Sequence, residues 1–482
     1  MSCLTTERSF HTATRLLPYQ REAVAKLLPS RVGALLMSMG TGKTRTAIEL
    51  VRIRLAKIDR VIWFCPVSLK ETIRYEILKH TNCTESDIYV FGDRTNERTL
   101  PTDALWYIVG IESMSASARA VFSAHRLITE RTFVIVDEST YIKGHRALRT
   151  QRITRLAEPA RYRMILTGTP ITQGVVDLYA QMRFLDPRIL GYKSFYSFAR
   201  NHLEYSDKYP GLIVRSHNVP YLAAKMRPYV YQVTKEEAGL NLPDKLFETY
   251  YCKLTDEQRE AYQEAKEVYL DDGSLGDWKS IYIFRLFTAL QSIVAGFWRR
   301  PDGQRVVLPH HRIDLLLSVL ERIPDPEKVV IWAKYQHSVR EIKSALAAAY
   351  GPDSVAEFHG RVPRAKRNDR SAELARWRAG ARFLVATQSA GSHGLTLNES
   401  HYTVFYDNSF KHSERLQAED RMHRIGQKWP PLYIDLNAGS GIEERIFDAL
   451  AKKENALSAF RREVDKVKRT DKERLRALVR SL

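Results

Sequence analysis

Three clusters of residues in this chain have types and spacings suited to phosphoryl chemistry. The first is Met37-Ser-Met-Gly-Thr-Gly-Lys-Thr44. Gly40 and Gly42, with Thr41 between them, allow a tight turn that points backbone N–H groups at phosphate oxygens. Lys43 then reaches the β/γ-phosphates and the Thr44 hydroxyl can ligate Mg2+. A helix starting there adds its positive N-terminal end. The general pattern asks for Gly at position 37, which is Met here, so an ordinary glycine turn is the competing reading. The second cluster is Val134-Ile-Val-Asp-Glu-Ser-Thr140. A hydrophobic strand ending in two carboxylates would place Asp137 at the metal and leave Glu138 to orient and deprotonate an attacking water. Two solvated acids at a strand end would look the same in isolation. The third is Gln417-Ala-Glu-Asp-Arg-Met-His-Arg424. Spacings of four and three predict that Gln417, Arg421 and Arg424 share one helical face. Such arginines suit stabilisation of charge on a transferred phosphoryl group. With Glu419 and Asp420 alongside, a solvated or salt-bridged face is the reading these residues favour when taken alone.

The elements that must position these residues are legible as short apolar runs. Val32–Met37, Arg60–Cys65, Asp87–Phe91, Trp106–Ile111, Thr132–Glu138 and Arg163–Gly168 read as strands, with helices such as Thr44–Ala56 and Ser68–Lys79 between most of them. Continuous Val/Ile/Leu runs suit strands buried on both faces of a parallel sheet. The alternation returns in Lys328–Ala333, Val355–Gly360, Arg382–Thr387, Tyr402–Asp407 and Leu432–Leu436. The expected fold class is therefore α/β, with two parallel sheets in one chain. Between them, residues 191–311 read as mainly helical, for example Asp256–Leu270 and Lys279–Phe297. The end, 451–482, reads as a basic helix: Lys452–Leu482 holds 11 Lys+Arg against 5 Asp+Glu.

Composition narrows the class. The 482 residues are 44% hydrophobic and 27% charged, as in an ordinary globular protein. Lys+Arg number 75 against 56 Asp+Glu, a net charge of +19, which favours a polyanionic partner, nucleic acid first. Cys3, Cys65, Cys83 and Cys252 are scattered, suggesting neither a zinc site nor a disulfide framework. The first residues lack a secretory apolar stretch, and no run approaches the ~18 apolar residues of a membrane helix. The expectation is a cytoplasmic protein with no membrane partner.

These residues, in this order, resemble the Swi/Snf-like ATPases of helicase superfamily two, over about residues 15–450. Leu17-Pro-Tyr-Gln20 is similar to the family's opening motif, and Met39–Thr44 to its phosphate loop. Cys65-Pro-Val-Ser-Leu69 is similar to a strand-tracking motif, Asp137-Glu-Ser-Thr140 to the acid motif, and Leu166-Thr-Gly-Thr-Pro-Ile171 to a coupling motif. Phe358-His-Gly360, Ser389-Ala-Gly-Ser-His-Gly-Leu395, Gln417–Gln427 and Gly441-Ile-Glu-Glu-Arg-Ile446 follow in the family's order. Thr140 stands where the family has His, so the connection from hydrolysis to lobe movement is expected to run through other contacts.

The resemblance implies two tandem RecA-like lobes: residues 1–190 with the phosphate loop and 312–450 with the arginine fingers, separated by the insertion and linker 191–311. ATP and Mg2+ are the implied cofactors, with Gln20 reading adenine, Thr44 and Asp137 on the metal, and Gly394 among the nucleotide contacts. Ser68, Lys70, Lys143, Gln388 and Ser389 are the implied nucleic-acid contacts. The implied function is an ATP-dependent double-stranded DNA translocase acting on DNA or protein–DNA complexes. The alternatives are a strand-separating or annealing helicase at forks or recombination intermediates, and a nucleotide-switched DNA-binding scaffold. Duplex or branched DNA is the expected partner; these motifs do not by themselves reject RNA or a protein partner on DNA. A monomer in a bacterial or viral host cytosol is the remaining expectation.

Overall fold

The computed structural model describes residues 10–168, 170–171, 174–206, 213–271, 280–359, 369–391, 395–453, 455–457, 459–460, 463 and 472–482. The chain separates into two compact units, Met1–Asn241 and Leu242–Leu482. Each is built on its own parallel sheet.

The first unit holds strands β1 (Val32–Met37), β2 (Arg60–Cys65), β3 (Ile88–Val90), β4 (Trp106–Gly110), β5 (Thr132–Asp137), β6 (Tyr162–Thr167), β7 (Leu203–Tyr205), β8 (Ile213–Ser216) and β9 (Val230–Val233). Seven of them form a sheet in the order β3-β4-β2-β5-β6-β1-β9, every pairing parallel. β7 and β8 form a separate antiparallel pair. The continuous apolar runs are explained by burial on both faces. Leu36, Ile62, Phe64, Val134 and Val136 belong to one core, while Leu35, Met37, Trp63, Cys65 and Ile135 belong to the other. Successive residues of a strand point to opposite faces, so a strand between two helix layers has no solvent side to give to polar residues. Trp63 and Trp106 are core residues in contact, ring centroids 6.2 Å apart.

The second unit holds β10 (Leu246–Tyr251), β11 (Phe297–Arg299), β12 (Arg305–Val307), β13 (Val329–Ala333), β14 (Val355–Phe358), β15 (Phe383–Thr387), β16 (Tyr402–Phe405) and β17 (Leu432–Asn437). Its sheet runs β10-β17-β16-β13-β15-β14, again all parallel, with β11 and β12 as a separate hairpin. The helices Asp256–Asp271 and Ser280–Val294 share a core with Gly441–Ala451 and Lys472–Arg480, through Tyr262, Phe287, Leu290, Ile446 and Val479.

The two-sheet α/β expectation is met. The reading of 191–311 as one mainly helical insertion is corrected on two points. The unit boundary falls inside it, after Asn241, and it contains strands that complete both sheets, β9 beside β1 and β10 beside β17. Of the C-terminal segment, only part lies within the described residues, including the helix Lys472–Arg480. Among the described residues no helix is long and apolar enough to cross a membrane.

Candidate functional site

β1, β6 and β5 are neighbours in the first sheet, and their carboxyl ends carry three of the motifs. This is the edge where open parallel sheets hold ligands. β1 ends at Met37 and the helix Lys43–Arg54 begins six residues later. The intervening loop turns on Gly40 (φ 79°) and Gly42 (φ 80°), both in the left-handed region. Thr41 steadies it, its hydroxyl donating to the Ser38 carbonyl at 2.7 Å. The Lys43 ammonium is folded back along the loop, donating to the carbonyls of Met37 (2.9 Å) and Ser38 (3.2 Å). Thr44 is half-buried on the first turn of that helix.

Gln20 lies in the helix Pro18–Leu27 and is buried. Its amide is engaged by protein: Nε2 donates to the Thr41 carbonyl (2.9 Å) and Oε1 accepts from the Leu17 N–H (3.0 Å). The Tyr19 hydroxyl donates to the same Thr41 carbonyl at 2.9 Å. The opening motif thus grips the phosphate loop with two side chains. Tyr19 was not singled out from the sequence, although its adjacency to Gln20 was visible there.

β5 stops at Asp137 because Glu138 adopts a left-handed backbone, φ 49° and ψ 56°. A non-glycine residue held there stores strain of roughly 1–3 kcal/mol, a cost that recurs at functional sites. The Glu138 N–H donates to Asp137 Oδ1 at 2.9 Å. Burial, then the neighbouring Glu138 charge, push the Asp137 carboxyl up to about 7, while Lys43 pulls it down. Beyond the acids, the Arg149 guanidinium donates to the Tyr141 carbonyl at 2.7 Å and lies 5.7 Å from that ring's centroid.

In the second unit, the helix His412–Glu419 stops before the arginines, so the expectation of one helical face is corrected. The Arg421 carbonyl accepts from Leu397 N–H (3.0 Å), and the Glu419 carbonyl accepts from the N–H groups of Met422 and His423 and from the Tyr433 hydroxyl. These contacts draw the chain out of the helix into turns ending near Gly426 (φ 98°). The arginines still converge. Arg421 donates to the Leu395 carbonyl at 3.3 Å, and Arg424 donates to the same oxygen and to the Thr396 hydroxyl, each at 2.9 Å. Arg421 also donates to the carbonyl of Gln417 at 3.2 Å. Behind them Arg415, buried, binds Asp435, Glu419 and Asn408 and anchors the helix to the sheet. No motif pointed to Arg415.

Of the residues singled out for nucleic acid, Ser68 and Ser389 are exposed. Lys70 donates to the Phe91 carbonyl, and Lys143 donates to Asp177 at 3.4 Å. Gln388 is corrected: it is buried, with Nε2 donating to the Asp407 carbonyl (3.2 Å) and Oε1 accepting from the Ser409 N–H (2.9 Å). It opens a short helical turn directly after β15, which carries its amide inward. Gly394, with Ser392 and His393, lies outside the described residues, as do Thr169 and Gly360.

The lysine-and-glycine loop after β1 and the acid pair after β5, strands that flank β6, together have the chemistry of a nucleoside-triphosphate site. The sequence matches the SNF2-related domain over residues 19–295 and the helicase conserved C-terminal domain over residues 311–426. The first match covers more than half the chain, which belongs to the SNF2-related family and is an ATPase of the helicase-like kind. Similar curated proteins include the ATP-dependent DNA helicase DDM1 of Arabidopsis thaliana, 23% identical over 90% of this chain and 60% of that protein. Another is the human DNA annealing helicase and endonuclease ZRANB3, 25% identical over 86% of this chain and 37% of that protein. This chain therefore spans less than two-thirds of the length of either. A solved structure, the Sulfolobus solfataricus SWI2/SNF2 ATPase core in complex with dsDNA, is 20% identical with a TM-score of 0.44, covering 98% of each chain.

Proposed function

We propose that this chain is a DNA-dependent ATPase that moves along double-stranded DNA and displaces or remodels what is bound there. The observation that carries the reading is the juxtaposition, at the ends of β1 and β5, of the Lys43 loop and the strained Asp137–Glu138 pair. In this reading Lys43 exchanges the Met37 and Ser38 carbonyls for β/γ-phosphate oxygens. Loop N–H groups around Gly40, Thr41 and Gly42 hold the remaining phosphate charge. Glu138 orients the attacking water and takes its proton. Arg421 and Arg424 are the groups whose charge suits stabilisation of a transferred phosphoryl group.

The donors also suit Mg2+: Asp137 and the Thr44 hydroxyl are hard oxygen ligands, and the carboxylate is buried where a cation would offset its cost. Among the described residues no cluster of three or more His, Cys, Asp or Glu forms a metal site. Phosphate oxygens and water would complete the shell. When bound, the ion neutralises developing charge on the phosphates.

The +19 charge and the exposed Ser68 and Ser389 support a phosphate-backbone contact, which is nearly sequence-independent and weakens with salt. The test is an ATPase titration with single-stranded, duplex and branched DNA and with RNA. Duplex DNA should stimulate turnover most, and both Lys43→Ala and Glu138→Gln should abolish it. Equal turnover with and without nucleic acid would reject the DNA-dependent reading.

A further inference from the structure

The helix Val176–Leu185 is almost wholly interior, with Leu178, Tyr179, Met182, Phe184 and Leu185 all buried in the first unit's core. Gln181, in the middle of this apolar row, is 0% exposed. A buried carboxamide without partners costs about 1–3 kcal/mol, so a glutamine there must be used or it destabilises the unit. It is used. Its Oε1 accepts from the Ser139 hydroxyl at 2.6 Å, and its Nε2 donates to the carbonyls of Pro170 (2.9 Å) and Asp177 (2.8 Å). Both amide hydrogens and the amide oxygen are therefore committed.

The partners are not scattered. Ser139, also 0% exposed, is the residue after Glu138, whose left-handed backbone sets the end of β5. Pro170 lies three residues beyond the end of β6. A second tie, Lys143 to Asp177 at 3.4 Å, joins the same helix to the far end of the acid turn.

We propose that Gln181 is a positioning residue for hydrolysis: through Ser139 it locks the turn carrying Glu138 to Pro170, so that the acid pair and Pro170 shift as one piece. This supplies the linkage that the Thr140 substitution leaves to other contacts, and it rests on the ATPase reading above. Buried networks of this kind hold geometry only while every member is satisfied. Releasing Ser139 frees the strained turn, and a misplacement of about 1 Å at a reacting group can cost on the order of 100-fold.

The experiment compares the full chain with Ser139→Ala, Gln181→Leu and the double variant, measuring kcat and KM for ATP at saturating duplex DNA, with thermal melting as a check on folding. Each single variant should lose about 10- to 100-fold in kcat with KM within about twofold, because the bond acts on the attacking group rather than on nucleotide binding. The double variant should lose no more than the worse single one, since the two side chains act as a unit. Should Gln181→Leu not fold, Ser139→Ala removes the same bond by deleting one oxygen and carries the test alone. Full kcat in a folded single variant, a loss confined to KM, or additive losses would each overturn the proposal. An inactive parent chain would overturn the ATPase reading and this proposal with it, whereas an active parent beside fully active variants would overturn Gln181 alone.

Discussion

Replacing Gly42 by alanine should cripple nucleotide binding, and the structure gives the size of the effect. Gly42 sits at φ 80°, and a Cβ built on it would lie 2.3 Å from Gln20 Nε2. A left-handed conformation costs an L-residue roughly 1–2 kcal/mol. At 2.3 Å the Gln20 amide must leave the Thr41 carbonyl, forfeiting about 0.5–1.5 kcal/mol more. Together these give about 1.5–3.5 kcal/mol, or about 10- to 400-fold in affinity if the loop must recover its native shape to hold phosphate. Titration with a fluorescent ATP analogue, alongside KM for hydrolysis, measures this directly. Repeating Gly42→Ala on a Gln20→Ala background removes the clash and leaves the φ cost, so the penalty should shrink by about two- to tenfold. Wild-type affinity in Gly42→Ala, or an identical penalty with and without Gln20, would refute the reasoning.

Three further outcomes are expected. Arg424→Ala should lower single-turnover phosphate release by about 10³- to 10⁵-fold while leaving nucleotide binding largely intact; a drop smaller than tenfold would count against its assigned role. Arg312 and Glu443 form a buried pair, 1% and 5% exposed, with Arg312 also donating to the carbonyls of Tyr406 and Leu436. Glu443→Ala should therefore cost the second unit about 3–5 kcal/mol in urea unfolding, because it strands a buried cation. Glu357 is held down at about 2 by the His359 ring and the Lys343 ammonium, against partial burial. Its folded value is depressed below the usual 4.5, so its contribution is present above 4.5 and is lost as pH falls towards 2. Glu357→Gln should accordingly flatten the acid limb of the stability profile in that window.

Most of the two sheets was legible because a strand buried on both faces must be largely apolar, as Val32–Met37 and Phe133–Val136 are. The two missed strands of the main sheets, β9 and β10, lie at sheet edges. β10, Leu-Phe-Glu-Thr-Tyr-Tyr, is exposed along most of its length and carries no continuous aliphatic run, and β9 is four residues long. Neither could be told from loop by pattern alone. The phosphate loop and acid pair were legible because their chemistry fixes residue types at short spacing. Arg421 and Arg424 were found by the same logic but placed on the wrong element, since the contacts that end their helix come from Leu397 and Tyr433, distant in sequence. Gln181 was invisible for a related reason: its meaning depends on Ser139 and Pro170, which only the fold brings together.

The boundary after Asn241 has a practical corollary. Each sheet already owns its outermost strand on its own side of that point, β9 before it and β10 after it. Severing the peptide bond between Asn241 and Leu242 would interrupt no hydrogen-bonded ladder. Two separately expressed polypeptides could then be mixed in chosen combinations, letting a lysine-loop lesion on one and an arginine lesion on the other be titrated independently.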